Sequence, residues 1–309
     1  MATEPILAAF EVTVVERHSW ARRSVLFDYW ALTKPEINFL IAIATLAGFC
    51  LGCPPTLTHF PWTLLLRTVF GTVLVASGAG VLNQLIERRF DAEMRRTTRR
   101  PIAAGRIEPI PALVFGMVLS LTGVLYLGVT VRPAASALAL LTLCGYLFLY
   151  TPLKRRTSMC TLIGAIPGAM PVLIGYAAVA GKLEARAWLL YAILFLWQFP
   201  HFMAIAWMYR EDYARAGFEV LPKGPEKAQF AGWQSIVPTL MLVSVTCVPM
   251  ALQHTHPVLA FGTLSLSLGF LYFAAYFALV RSTESARRLL LVSILYLPLV
   301  FLFQVLARV

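Results

Sequence analysis

Long apolar stretches alternate with short polar ones along nearly the whole chain. Nine apolar segments stand out, at roughly residues 35–52, 62–85, 109–131, 133–151, 161–181, 185–208, 232–253, 257–280 and 286–306. Each is close to the ~20 residues with which a helix crosses the hydrocarbon of a bilayer. Backbone amides and carbonyls find no water there, so each segment is predicted to be a helix. The pattern predicts an all-α, polytopic membrane protein with about nine transmembrane helices. Residues 31–309 read as a single transmembrane domain, preceded by a cytoplasmic N-terminal segment, residues 1–30.

Composition agrees. Of the 309 residues 59% are hydrophobic and only 13% charged, with a mean hydropathy of +0.74. Soluble domains carry nearer a quarter charged residues, so a water-soluble enzyme is excluded. A net charge of +11 would suggest nucleic acid in a soluble chain, but here topology explains it and no nucleic-acid partner is expected. Twenty-one of the 26 lysines and arginines fall in the N-terminal segment and in the loops after spans two, four, six and eight. The positive-inside rule puts those parts, and the N-terminus, in the cytoplasm.

The N-terminus carries Glu4, Glu11 and Glu16 and lacks the features of a signal or transit peptide, so a bacterial inner (plasma) membrane is expected. The five cysteines make no disulfide-rich pattern. Cys50 and Cys53, spaced CxxC, read as small residues closing the first span, with a redox pair or metal site as the alternative. His59, His254 and His256 are expected in solvated outer loops.

Acidic residues follow no topological rule, yet eight of the 15 sit at two cytoplasmic places. Glu87, Asp91, Glu93 and Glu108 follow span two; Glu211, Asp212, Glu219 and Glu226 follow span six. Asn83, Glu87 and Asp91 are each four apart, so on a helix they line one face within ~80°. Like charges four apart repel, and carboxylates oppose the negative end of the helix dipole. Something positive must offset that cost. Mg²⁺, usually held by one or two carboxylates plus substrate phosphates, is one candidate. A solvated helix end with Glu87 and Asp91 paired to Arg88 or Arg95 is the other. Beyond the ladder lie Arg95, Arg96, Arg99 and Arg100, and arginine binds phosphate oxygens in bidentate fashion. Carboxylates for a metal followed by an arginine-rich loop suit a diphosphate.

Span four ends in Tyr150-Thr-Pro-Leu-Lys154-Arg155, whose cations either reach a second phosphate or anchor the helix at the membrane surface. Span six carries Trp197-Gln-Phe-Pro-His201 and runs on to Tyr209-Arg-Glu-Asp212. On one continuous helix, His201 and Asp212 would face the same way ~16 Å apart. An ionisable residue inside a membrane is a functional candidate; a histidine bonded to a neighbouring helix is the plain alternative. In span five, Gly164 and Gly168 allow close helix contact, and Pro167 and Pro171 are expected to break regular geometry.

Taken together, these segments resemble the UbiA-type intramembrane prenyltransferases, and within them the heme-farnesylating branch. The resemblance rests on LTKPEI at 32–37, NQLIERRFDAEMRRTTRRPIAAGRI at 83–107, YTPLKRRT at 150–157, IGAIPGAMPVLIGY at 163–176 and WQFPHFMAIAWMYREDYARAGFEVLP at 197–222. It covers most of residues 30–300. The second acidic motif is eroded to Tyr209, Glu211, Asp212 and Tyr213, and Val172 stands where that branch is expected to have a second proline.

The resemblance implies nine helices around a central, lipid-open cavity with a cytoplasmic polar rim. It implies farnesyl diphosphate and heme b as substrates, heme O as product and Mg²⁺ as cofactor, with heme A synthase or oxidase assembly factors as possible partners. On this reading Asn83, Glu87, Asp91 and Asp212 hold the metal, and Arg96, Arg100, Lys154 and Arg155 neutralise the leaving group. His201, Tyr209 and Tyr150 contact the heme. A quinone- or chlorophyll-precursor prenyltransferase is the competing enzyme, and a heme-binding membrane transporter the competing class.

Overall fold

The computed structural model describes residues 24–54, 59–251 and 257–307. Residues 1–23 of the expected N-terminal segment, and His254 and His256, lie outside them; His59 is exposed, as expected. Among the described residues the fold is all-helical, and nine helices are long and apolar enough to cross a membrane. In chain order these are α2 (Pro35–Gly52), α3 (Trp62–Asp91), α4 (Pro109–Thr130), α5 (Pro133–Leu153, with a π-helical turn at Gly145–Tyr150), α6 (Cys160–Ala180), α7 (Ala185–Met208), α9 (Glu226–Ala251), α10 (Pro257–Val280) and α11 (Thr283–Leu306). Two short helices complete the set, α1 (Val25–Leu32) before the first span and α8 (Arg210–Arg215) after the sixth.

Two spans extend beyond the apolar segments. α3 continues to Asp91 rather than ending near 85, and α9 begins at Glu226 rather than 232. Hydropathy marks the part of a helix that lies in hydrocarbon, whereas the hydrogen-bonded ladder continues into the polar layer. The α3 extension carries the whole acidic face.

Each span packs against its neighbour in the chain, and α6 also lies against α2. α6 and α7 form the middle of the bundle, each 67% buried over its central window, against 22–28% for α4, α5 and α10. Small residues bring α2 and α6 together. A Cβ on Gly48 would stand 2.0 Å from the Val172 carbonyl oxygen, and one on Gly175 would stand 2.0 Å from that of Thr45. This reciprocal fit lets dispersion act between backbones where lipid offers no hydrophobic gain. Cys53 closes α2, its N–H returning to the Phe49 and Cys50 carbonyls, in keeping with the helix-closing reading.

Pro167 and Pro171 do not break α6, which runs unbroken from Cys160 to Ala180. Side chains of α7 bond carbonyls in the same stretch: Gln198 Nε2 donates to the Ala165 oxygen at 3.1 Å and the Tyr191 hydroxyl to that of Ile166 at 3.3 Å, tying α7 to α6. Gly168 makes room, since a Cβ there would lie 2.0 Å from Gln198 Oε1. At Gly164 a Cβ would strike the Tyr150 ring at 2.4 Å.

A second expectation is corrected. α7 ends at Met208, Tyr209 leaves helical geometry at φ −109° and ψ 22°, and α8 starts afresh. The three-turn alignment of His201 with Asp212 therefore does not hold. A chain leaving the membrane at its polar boundary has water to satisfy its backbone, so nothing there compels the helix to continue.

Candidate functional site at the polar end of the bundle

The last two turns of α3 carry Asn83, Glu87 and Asp91, which are 1%, 5% and 0% exposed. Burial on one face is what the i, i+4, i+8 spacing requires, and it excludes a solvated helix end. The neighbouring arginines are not the partners: Arg88 donates to the Leu85 carbonyl instead. Each ladder residue meets a cation from a different part of the chain. Lys34 Nζ donates to Asn83 Oδ1 at 2.8 Å, Lys154 Nζ to Glu87 Oε1 at 2.8 Å, and Arg100 Nη1 to both Asp91 oxygens at 2.8 and 2.7 Å. The mutual repulsion of the carboxylates and the unfavourable helix dipole are thus offset by a parallel row of positive charge.

Local backbone features deliver each cation. Lys34 sits between α1 and α2 in the left-handed region, φ 56° and ψ 61°, with Pro35 opening the next helix. Proline disfavours right-handed helical geometry in the preceding residue, which keeps α1 and α2 from joining into one helix. Lys154 follows a π-helical turn, Gly145–Tyr150, and a last α turn, Thr151–Leu153, at the end of α5. The wider turn sends the Thr151 N–H and hydroxyl back to the Tyr146 carbonyl, the latter at 2.8 Å, and the same hydroxyl accepts from Asn83 Nδ2 at 3.3 Å. Such turns occur frequently at functional sites. Arg100 lies on the loop after α3, where the Thr97 hydroxyl donates to the Asp91 carbonyl at 2.8 Å.

The electrostatics are tightly coupled. Burial, with Arg100 and Lys154 nearby, draws the Lys34 ammonium down to about 7, against the opposing pull of Glu87 and Asp91. Burial alone would lower Lys154 too, but Glu87 and the Tyr150 and Tyr146 phenols outweigh it and hold that ammonium well above its ordinary range. Lys154 also rests on the Tyr150 ring, 4.6 Å from its centroid, and Arg155 lies 4.1 Å over Phe90.

The loop after α7 folds onto the loop after α3. Asp212, 8% exposed, accepts from the Arg96 backbone N–H at 3.3 Å and from Arg215 Nη1 at 3.2 Å. The Arg96 guanidinium lies over the Tyr209 ring at 4.7 Å and meets the Tyr213 hydroxyl at 3.2 Å. Met94, Ala216 and Phe218 pack between the loops, and the Glu219 N–H donates to the Lys154 carbonyl at 2.7 Å. The two acidic stretches therefore share one structure. Among the described residues, however, no group of three or more His, Cys, Asp or Glu side chains converges as a metal cage. What the ladder offers is hard oxygen donors from one amide and two carboxylates, which suits Mg²⁺ shared with substrate phosphates.

His201 lies deeper, about 12 Å from Tyr209 at helical rise. It is half-buried on α7, stacked on Trp197 with centroids 4.6 Å apart, and its Nδ1 is 2.8 Å from Ser293 Oγ on α11.

Sequence reasoning counted Lys34 only as a cytoplasmic cation within LTKPEI, and it overlooked Thr151 and Ser293. It also overlooked α1, which Arg106 anchors through an ion pair with buried Asp28 at 2.9 Å. The proline directly after Lys34 is the one local signal that could have marked this lysine as specially positioned.

The UbiA prenyltransferase family model matches residues 40–300. A protoheme IX farnesyltransferase of Solibacter usitatus (strain Ellin6076) is 45% identical over 287 residues, covering 91% of this chain and 98% of that one. One from Salinibacter ruber (strain DSM 13855 / M31) is 41% identical over 274 residues, with coverages of 89% and 96%. Among solved structures, a UbiA homolog from Archaeoglobus fulgidus bound to GPP and Mg²⁺ superposes with a TM-score of 0.62 at 13% identity, covering 89% of this chain and 99% of that one. At that identity the likeness concerns the fold. With the family model spanning most of its length, the chain belongs to the UbiA prenyltransferase family.

Proposed function

We propose that the protein transfers the farnesyl group of farnesyl diphosphate to a vinyl group of heme b, giving heme O. The observation that carries this reading is the identity of 38–45% over about nine-tenths of the chain with proteins named protoheme IX farnesyltransferase. The site supports it independently, because a buried carboxylate ladder paired with a row of cations suits a metal-bound diphosphate.

Asn83, Glu87 and Asp91, with Asp212 from the second loop, would hold Mg²⁺ on the diphosphate. The bound ion would supply Lewis-acid stabilisation of charge on the departing phosphate. Carboxylate oxygens have lone pairs for both a metal and a guanidinium, so Arg100 and Lys154 need not leave completely when the substrate binds. Arg96, Arg100, Lys154 and Arg155 neutralise the leaving group as the bond between its oxygen and the farnesyl carbon breaks. Preorganised charge of this kind usually lowers such a barrier more than any other single effect.

The terminal vinyl carbon then forms the new C–C bond to the allylic cation. Water adds to the resulting cation beside the ring and loses a proton, which completes the hydroxyethylfarnesyl group. The apolar helices keep water from the allylic cation until the vinyl group captures it. His201 and the Tyr150 and Tyr209 rings contact the heme. The positive-inside distribution supports a cytoplasmic ladder in a bacterial inner membrane, where oxidase assembly factors would receive the product.

The test is to express the protein with heme b, supply farnesyl diphosphate with and without Mg²⁺, and identify the extracted hemes by mass spectrometry. Heme O formed only with both additions is the expected result. A prenylated quinone precursor with unchanged heme would instead establish the competing enzyme.

A further inference from the structure

The hydrogen bonding around His201 fixes which ring nitrogen is free. Ser293 Oγ lies 2.6 Å from the Leu290 carbonyl oxygen one turn earlier on α11, and 2.8 Å from His201 Nδ1. Two oxygens at 2.6 Å repel unless a proton lies between them. The carbonyl has none, and serine has only one. The Ser293 proton is therefore committed to Leu290, and towards His201 the same oxygen can only accept. Nδ1 must then carry the imidazole proton, which leaves Nε2 with its lone pair.

The ring is also held in place. Trp197 stacks on it at 25° between planes and anchors its own indole N–H to the Ser293 carbonyl at 2.8 Å. Among the described residues Nε2 has no hydrogen-bond partner, and His201 is only partly buried. A neutral imidazole with Nδ1–H bonded to an oxygen and Nε2 bare is the arrangement found in metal-ligating histidines. A propionate contact would need the opposite, a proton on the free nitrogen.

We propose that His201 Nε2 is an axial ligand of the heme iron and that Ser293 is the positioning residue that sets its tautomer and orientation. This rests on the heme reading of the proposed function and decides between the two roles open to His201. Loss of such an outer hydrogen bond typically weakens metal affinity about 10- to 100-fold.

The experiment uses the full chain in lipid nanodiscs. Before heme is added, ¹⁵N-histidine spectra, with the His201 signal assigned by its loss in His201→Gln, are expected to show Nδ1 protonated. A proton on Nε2 would overturn the proposal. Ferrous heme b is then added as the probe and the iron–imidazole stretch is recorded by resonance Raman. His201→Gln is expected to lose that band. Ser293→Ala is expected to keep it at lower frequency with heme binding about 10- to 100-fold weaker, and Ser293→Thr to restore both. An unchanged band in His201→Gln, or wild-type frequency and affinity in Ser293→Ala, contradicts the proposal.

Heme O production is assayed on the same samples to separate the two claims. A wild type that ligates heme through His201 yet makes no heme O removes the transferase reading and leaves the ligand standing. Heme O made by a wild type without the iron–imidazole band removes the ligand and leaves the transferase.

Discussion

Lys154 Nζ lies 2.8 Å from Glu87 Oε1, and that contact joins the end of α5 to the acidic face of α3. The lysine side chain is 14% exposed and the glutamate 7%, so neither charge is well solvated. Removing one partner of a buried pair costs about 3–5 kcal/mol, because the other is left uncompensated. Lys154→Met is expected to lower thermal stability by that order and to reduce turnover about 10²- to 10³-fold, as for loss of one stabilising donor. Lys154→Arg, which keeps the charge, is expected to recover most of the stability. Thermal unfolding in detergent and product formation by mass spectrometry read the two effects. A raised lysine pKa contributes stability fully below pH 10.5, lost only as pH climbs through the still higher folded value. The ionisation of Lys154 itself is accordingly expected to add no pH dependence to stability between about pH 6 and 9.

Lys34 behaves in the opposite way. With its folded pKa near 7 against 10.5 unfolded, the unfolded chain binds more protons between those values, so this residue's contribution to stability rises with pH across that window. Below pH 7 the penalty for burying its charge is fully present. A bound diphosphate favours the charged form, so binding above pH 7 is expected to draw a proton onto Lys34. Calorimetry at about pH 8 in buffers of different ionisation enthalpy measures that uptake. Lys34→Met is expected to abolish it, and an unchanged uptake in that variant would contradict the assignment.

Gly48→Ala tests the α2–α6 contact. The new Cβ would lie 2.0 Å from the Val172 carbonyl oxygen, a backbone atom that cannot swing aside. Overpacking of this kind costs about 1–3 kcal/mol. The midpoint of thermal unfolding is expected to fall, whereas Gly269→Ala, which meets nothing within 4 Å, is expected to leave it unchanged.

What could be read in advance follows the physics of each feature. The spans were legible because a bilayer demands long apolar runs, and α2, α7 and α10 begin and end where the pattern places them. The acidic face was legible because residues four apart on a helix share a side. Its partners were not, since Lys34, Lys154 and Arg100 arrive from three separate segments and no local rule links them to Asn83, Glu87 and Asp91. The break at Tyr209 escaped because hydropathy carries no information on helix ends in the polar layer. The uninterrupted course of α6 through Pro167 and Pro171 escaped because local propensity counts the lost hydrogen bonds but not the packing of α6 against α2, α5 and α7.

Asp91 is fully buried and clamped through both oxygens by Arg100, so it tests the diphosphate site most directly. Diphosphate release from farnesyl diphosphate is to be measured in membranes holding equal amounts of wild type and Asp91→Asn, across a Mg²⁺ titration with heme b present. The expected result is a loss of at least about 100-fold in the variant, with Mg²⁺ dependence in the wild type and normal membrane insertion in both. Release by Asp91→Asn at the wild-type rate and with the same Mg²⁺ dependence would contradict the central claim that the acidic face of α3 holds the metal-bound diphosphate.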